Sequence, residues 1–336
     1  MMDTCWLMCE MGKGAWVNMD KYRELKGKKF VQIKNHPVLP LTLLNYTSKT
    51  QLKKKWCPEL LQARGLVVDV DGEIIARPLP KFFNDFELDH IPSGSYEVYE
   101  KMDGSLIIMS FYKGKPFFCT RGSFISEQSI KAEEIYQQKY THQSVDQNYT
   151  YCFEIIYPQN KIVVDYGSEE DMFLLAKICT ATGEEAPITN TGFRCVEKVY
   201  TFENVKDLKK MDKFNKEGFV VKFIEDNFRI KIKFPSYIAL HKRPLSRKQV
   251  IKMIKSESIP NIPDEGFEEL SNQMKQLTLE YKGKDNQLLM ELEEILRKSN
   301  NEADIVSLIK RSPNKSLMFN MYKNKEYSHL VWDLLK

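Results

Sequence analysis

The sequence predicts an α+β fold: an antiparallel-sheet domain over residues 1–244, followed by a smaller all-helical domain over residues 245–336. Three observations carry this. Between residues 63 and 233, short runs rich in Val, Ile, Phe and Tyr are broken by Asp-Gly, Lys-Gly and Arg-Gly pairs, as strands and turns require. From about Leu245 the apolar period becomes helical, with Leu288, Leu292, Ile295 and Leu296 on one stripe and Ile305, Leu308 and Ile309 on another. A length of 336 residues at 42% hydrophobic also suits two cores better than one.

In chain order, Met19 to Leu25 reads as a short peripheral helix, and Lys34 to Tyr46, apolar and punctuated by proline, as an extended connection pinned to a core. Lys53-Lys54-Lys55-Trp56 opens a short helical stretch, and its lysine run reads as a solvated face or a nucleic-acid contact. Ala63 to Asp71 is a strand that turns at Asp71-Gly72 into Ile74–Arg77, with Arg64 at its head and Lys81-Phe82-Phe83-Asn84 behind it. Phe117 to Thr120 is a strand, Arg121-Gly122-Ser123 a break, and about Glu127 to Lys139 a helix, which leaves Arg121 a candidate phosphate contact. Tyr151–Tyr157, Lys161–Val164, Met172–Lys177, Glu217–Phe223 and Phe228–Lys233 complete the sheets. Pro244 closes this region, and Pro260, Pro263 and Pro313 punctuate the helices beyond it.

No apolar run approaches the about 20 residues a membrane span needs, and the first residues lack the basic-then-apolar order of a secretory signal. The seven cysteines are odd in number and scattered, the usage of a reducing, cytoplasmic interior, and Cys5 and Cys9 lack the second pair a zinc site needs. A net charge of +4 does not by itself demand a polyanionic partner, though it allows a local basic groove.

The chemistry centres on Glu100-Lys101-Met102-Asp103-Gly104-Ser105-Leu106, between the runs Tyr96–Tyr99 and Leu106–Met109. It reads as a lysine on a tight turn between two strands, where Gly104 allows close approach of backbone to a ligand. Such an amine can act as a covalent nucleophile once neutral. An ordinary lysine holds its proton at neutral pH by about 3.4 units, roughly 4.6 kcal/mol, so the site must lower that cost. The last strand offers a means, because Arg229, Lys231 and Lys233 recur every second residue and share one face, and crowded cations depress a nearby lysine pKa. Glu154 lies in an otherwise apolar strand, where a carboxylate is costly unless paired or bound.

The ordered set Lys101-Met102-Asp103-Gly104, Phe153-Glu154, Glu217-Gly218 and Lys231-Ile232-Lys233 resembles the motif series of the covalent nucleotidyltransferase superfamily, which contains DNA ligases, RNA ligases and mRNA capping enzymes. Arg64-Gly65, Arg77-Pro78 with Lys81-Phe82-Phe83-Asn84, Gly122-Ser123 with Glu127-Gln128, and Glu154 with Pro158 and Asn160 look more closely like the ATP-dependent phage-type RNA ligase 1 family. The resemblance runs from about residue 35 to 245.

The resemblance implies a nucleotidyltransferase (adenylylation) domain with an N-terminal extension, ATP as substrate and Mg2+ (or Mn2+) as metal. It also implies RNA with 3′-OH and 5′-phosphate ends as partner, in RNA and possibly tRNA repair, with the helical domain selecting the RNA. Lys101 would take AMP. Lys231 and Lys233 would contact the α-phosphate, Glu154 would hold the ribose, and Glu217 would help place the metal. Arg64 and Lys81, with Arg121 as a weaker candidate, would contact the outer phosphates, and Glu100 would border the adenine pocket. A DNA ligase or capping enzyme shares the lysine chemistry but normally appends an OB-type barrel where this chain turns helical. A noncatalytic RNA-binding module is the other alternative, and it has no need of this set of lysines and glutamates.

Overall fold

The computed structural model describes residues 15–199, 204–241, 245–256 and 266–335. Cys5, Cys9, Pro244, Pro260 and Pro263 lie outside them. The chain forms two compact units, divided at residues 242/243.

The first described helix is α1 (Met19–Gly27), whose Asn18 side chain accepts from the N–H groups of Asp20 and Lys21. It is not peripheral. Tyr22 and Leu25, three apart and so on one face, are buried, and Tyr22 is 1% exposed with its hydroxyl donating to the Glu59 carbonyl at 3.2 Å. The expected connection over residues 34–46 is a hairpin of β1 (Val31–Asn35) and β2 (Leu41–Tyr46). Its prolines, Pro37 and Pro40, occupy the loop, where no ladder donor is needed. Next come α2 (Ser48–Leu52) and α3 (Pro58–Gln62), and Lys53 caps α2, so the lysine run ends a helix rather than opening one. With β3 (Arg64–Asp69) and β4 (Ile74–Ala76), these strands form a four-stranded sheet in the order β1-β2-β3-β4.

Ten more strands follow: β5 (Phe83–Asn84), β6 (Tyr96–Lys101), β7 (Ser105–Tyr112), β8 (Lys115–Thr120), β9 (Tyr149–Ile156), β10 (Asp171–Cys179), β11 (Glu185–Ala186), β12 (Lys198–Val199), β13 (Gly218–Phe223) and β14 (Arg229–Lys233). They make two five-stranded sheets, β11-β10-β9-β7-β8 and β12-β6-β13-β14-β5, antiparallel except where β14 meets β5. β6 and β7 therefore belong to different sheets. Met102-Asp103-Gly104 is a crossing between them, not the hairpin turn that an Asp-Gly pair predicts.

α3 is followed by α4 (Glu127–Lys139), α5 (Val205–Leu208) and α6 (Pro235–His241). Ser126 caps α4, and Ala132, Ile135 and Tyr136 pack on Ile107, Met109, Phe153 and Ile155 in one buried cluster. Residues 161–164 form no strand, because Asp103 Oδ2 accepts from the N–H groups of both Val163 and Val164, at 2.9 and 2.8 Å, and bends the chain.

The second unit contains α7 (Arg247–Ser256), α8 (Gly266–Lys298), α9 (Glu302–Arg311), α10 (Lys315–Tyr322) and α11 (Ser328–Leu334). Leu288, Leu292 and Ile309 are buried with Leu317, Met318 and Val331, and Ile295 and Ile305 pack against them. Leu296 is exposed instead, since at 100° per residue it falls about 80° from Leu288, at the margin of the stripe.

Candidate active site

The register of β6, β13 and β14 sets three rows across one face of the second sheet. Lys101, Gly218 and Lys233 form the first; Tyr99, Val220 and Lys231 the second; Glu97, Lys222 and Arg229 the third. The opposite face is apolar, with Val98, Phe219, Ile230 and Ile232 buried together. Alternation thus delivers the expected cationic face. Gly218 stands between the two lysines of the first row. Its φ is +149°, and a Cβ there would lie 2.1 Å from the Ile232 carbonyl oxygen, so no other residue fits.

Glu217, next to that glycine and 3% exposed, spans the gap. Lys101 Nζ donates to its Oε2 at 2.8 Å, and Lys233 Nζ pairs with its Oε1 at 3.0 Å. The crowding of bare cations expected around Lys101 is therefore replaced by two ammonium groups sharing one buried carboxylate. Like charges on adjacent strands repel, and Glu217 supplies the counter-charge.

Glu154 reaches the same place from β9 of the other sheet. Its Oε1 accepts from the Gly104 N–H at 3.1 Å. Burial pushes its carboxyl up to about 7; Lys101 and Arg64 pull it down, and Glu217 pushes it further up. Gly104 permits the contact, since a Cβ there would stand 2.4 Å from the Ile155 carbonyl oxygen. Lys101, Glu154, Glu217 and Lys233, distant in sequence, thus converge where the two sheets meet.

The crossing that carries Lys101 is fixed by the motif residue Asp103 together with two tyrosines that no sequence motif marked. Asp103, 3% exposed, accepts from the Tyr237 hydroxyl at 2.7 Å as well as from Val163 and Val164, and its own N–H donates to the Tyr166 hydroxyl at 2.9 Å. Burial pushes the Tyr166 phenol well above its ordinary range. Ser105 donates to Asn160 at 3.1 Å. Only the Asp-Gly pair and Asn160 carried any signal in the sequence; the two tyrosines carried none.

The remaining candidates gather around aromatic rings. Phe82 has the Arg64 guanidinium 5.5 Å and the Lys231 ammonium 5.1 Å from its centre, which brings these two cations together. Lys81, 1% exposed, lies 5.8 Å from Trp56 and 5.1 Å from Phe83. Arg121 donates to the Tyr46 hydroxyl at 3.0 Å, and the Tyr46 ring contacts Trp56, which links Arg121 to Lys81. Among the described residues, the buried side-chain oxygens Asn84 Oδ1 and Asn45 Oδ1 have no hydrogen-bond partner, and in register they neighbour Lys231 and Arg64. Glu100 alternates away from Lys101 and pairs with Lys216.

Between the sheets is a cavity of about 560 Å³ walled by Leu79, Phe82, Tyr99, Leu175 and Val220, with Glu100 at its border. That is room for a nucleoside. Its far end is closed by ion pairs: Arg229 makes two hydrogen bonds to Glu185, and Lys222 Nζ reaches the same carboxylate at 2.8 Å. Burial opposes ionisation there, but Arg229 and Lys222 hold the Glu185 carboxyl below its usual value. Arg229 is thereby committed to Glu185; of the other two alternating cations, Lys233 shares Glu217 with Lys101, and Lys231 stands in the next row beside Phe82. Among the described residues no three acidic, His or Cys side chains cluster as a metal cage.

Among curated proteins, a protein of Autographa californica nuclear polyhedrosis virus, provisionally named a bifunctional polynucleotide kinase/RNA ligase, is 28% identical over 248 residues, 63% of this chain and 35% of that one. A protein of Thermovibrio ammonificans, provisionally named an RNA ligase, is 27% identical over 245 residues, 65% of this chain and 62% of that one. The chain therefore spans about a third of the first relative and less than two thirds of the second. The solved structure of an Aquifex aeolicus protein, provisionally named an ATP-dependent DNA ligase, superposes over 92% of this chain and all of its own, with TM-score 0.50 and 16% identity, which shows a shared fold. The RNA ligase family model, of the phage RNA ligase 1 type, matches residues 62–237, more than half of the sequence, and the chain belongs to that family.

Proposed function

We propose that the protein is an ATP-dependent RNA ligase that joins a 3′-OH to a 5′-phosphate through lysyl-AMP and RNA-adenylate intermediates. The observation that carries this reading is the Lys101–Glu217–Lys233 arrangement on the strand whose preceding residues, Tyr99 and Glu100, wall a nucleoside-sized cavity. Lys101 Nζ, freed of Glu217 and its proton, would attack the α-phosphorus of ATP, and the bond to pyrophosphate would break as the N–P bond forms. The 5′-phosphate of RNA would displace the lysine from AMP, and a 3′-hydroxyl would then displace AMP.

Within this reading Lys231 and Lys233 neutralise charge developing on the α-phosphate, and Arg64, Lys81 and Arg121 orient the outer phosphates. Glu154 accepts a hydrogen bond from the ribose, and Glu100 borders the base. The orphaned oxygens of Asn84 and Asn45 mark places beside these cations where a ligand donor would be satisfied. Mg2+ (or Mn2+) supplies shielding and orientation of the phosphates when bound. This chain offers it the Glu217 carboxylate, so phosphate oxygens and water would complete its shell. The target is a broken RNA, tRNA among the candidates, in the cell interior, with the helical unit selecting it.

Sealing is the test. RNA carrying a labelled 5′-phosphate and a free 3′-OH should become resistant to phosphatase on addition of protein, ATP and magnesium. Resistance gained with a DNA strand but not with RNA, or with GTP but not with ATP, would overturn the assignment.

A further inference from the structure

We propose that the lysine tract between residues 26 and 55 is the docking surface for the phosphodiester backbone of the RNA, an inference that rests on the ligase reading above. These thirty residues hold eight of the chain's 50 basic residues and none of its 46 acidic ones. The other 306 residues therefore hold 42 basic and 46 acidic groups and are net negative, so the modest total of +4 conceals one concentrated positive segment. A focused cationic surface on an otherwise acidic chain is the electrostatic footprint of a polyanion site.

The fold draws parts of the tract together, although Lys28 is paired with Glu24. The Thr47 N–H donates to the Phe30 carbonyl at 2.9 Å, the Thr47 hydroxyl to the Lys29 carbonyl at 2.8 Å, and Lys49 Nζ lies 5.5 Å from the centre of the Phe30 ring. The end of α1 and the first turn of α2 are thus laced together. β1, an outer strand of its sheet, carries Lys34, whose Nζ donates to the Gly122 carbonyl at 2.6 Å, beside Arg121. Lys55 precedes Trp56, whose ring touches Tyr46 and neighbours Lys81. The tract therefore adjoins the proposed phosphate-binding end of the site at two points, Lys34 and Lys55. Lys53, Lys54 and Lys55 are all exposed and make no ion pair among the described residues.

Local geometry adds an independent sign. Lys54 has φ +48°, with its N–H on the Gln51 carbonyl and the Lys55 N–H on the Thr50 carbonyl. Lys29 has φ +62°, with its N–H on the Lys26 carbonyl and the Phe30 N–H on the Leu25 carbonyl. Both are left-handed helix-ending positions where glycine is the ordinary choice. The helix dipole favours a cation anywhere in the last turn, but it does not require one at a strained residue. Lysine at both positions keeps charge at the expense of local stability, which backbone phosphates would reward.

The test is fluorescence anisotropy of a short 5′-phosphorylated RNA across a salt series, beside self-labelling with α-phosphate-labelled ATP. Lys53→Ala/Lys54→Ala/Lys55→Ala should weaken RNA binding about tenfold and reduce the log–log salt slope by about 2, with self-labelling unchanged. Lys54→Gly should weaken binding while holding or raising Tm, which separates charge from folding. Unchanged affinity and slope in both variants would overturn the proposal while leaving the ligase reading intact. Absence of self-labelling in the wild type would instead strike the ligase reading, and the anisotropy series would still decide the surface.

Discussion

The two ends of the inner face of the second sheet carry similar charges and use them in opposite ways. In the first row Lys101 and Lys233 flank Gly218 and share the single carboxylate of Glu217, two cations on one anion. In the third row Arg229 is held by two hydrogen bonds to Glu185 and joined there by Lys222, while Glu97 takes Lys198 at 2.7 Å and the Tyr99 hydroxyl at 2.7 Å. The third row bolts β11 of one sheet to β13 and β14 of the other. By count each end keeps one cation in excess, but the cations of the third row are spent on joining two sheets, whereas both lysines of the first row lie on strands of one sheet and are placed for a phosphate in the proposed reaction. Alternation in one strand therefore yields one cation bound into the fold and two placed for the proposed chemistry, and the partners, not the spacing, decide which is which.

The sharpest way to break this contrast is to truncate one cation at each end. Lys233→Ala should lower the rate of self-adenylylation by about 100-fold or more, as expected for loss of a preorganised charge at the reacting phosphate, with a stability cost from the lost partner of buried Glu217 that still leaves the protein folded. Self-labelling with radioactive ATP beside a melting curve checks both halves. Arg229→Ala should spare the labelling. Removing one partner of a buried pair costs about 3 kcal/mol of stability, read by urea titration, while labelling at saturating ATP stays within a few-fold of wild type. A labelling defect as deep as that of Lys233→Ala would erase the distinction between the two rows.

How much of this was legible beforehand follows the range of the contacts involved. Glu127–Lys139 was readable as a helix because its cap at Ser126 and its buried Ala132, Ile135 and Tyr136 are local. The motif lysines and glutamates were readable as a set. That β6 and β7 enter different sheets was not, because an Asp-Gly pair between apolar runs has the same local form in a hairpin and in a crossing. Arg229 could not be separated from Lys231 and Lys233, since Glu185 lies 44 residues away in the chain. Residues 161–164 have strand composition, but the long-range claim of Asp103 on their N–H groups overrides it.

A subtler probe of the first row is pH. The Glu154 carboxyl stands at about 7 in the fold against 4.5 ordinarily, so between these values the unfolded chain ionises while the folded one keeps its proton. Stability must then fall as pH rises through that window and level off above it, by an amount on the order of 2 kcal/mol given the coupling to Glu217. Glu154→Gln should abolish the decline, visible in urea titrations at a series of pH values; an identical slope in the variant would mean the carboxyl is not so placed. The smallest effect is expected at the crossing, where Tyr237→Phe removes one hydrogen bond to Asp103 and should cost about 1 kcal/mol. Its self-labelling rate should fall only modestly, because Val163 and Val164 still hold the carboxylate.

The central claim is that one amine, at the junction of two sheets and facing a shared carboxylate, carries the nucleotide. The direct measurement is to incubate the protein with α-phosphate-labelled ATP and magnesium, denature and digest it, and map the acid-labile label. The account predicts label on the peptide containing Lys101 and none on Lys101→Ala. Label on any other residue, or undiminished label on that variant, would contradict it.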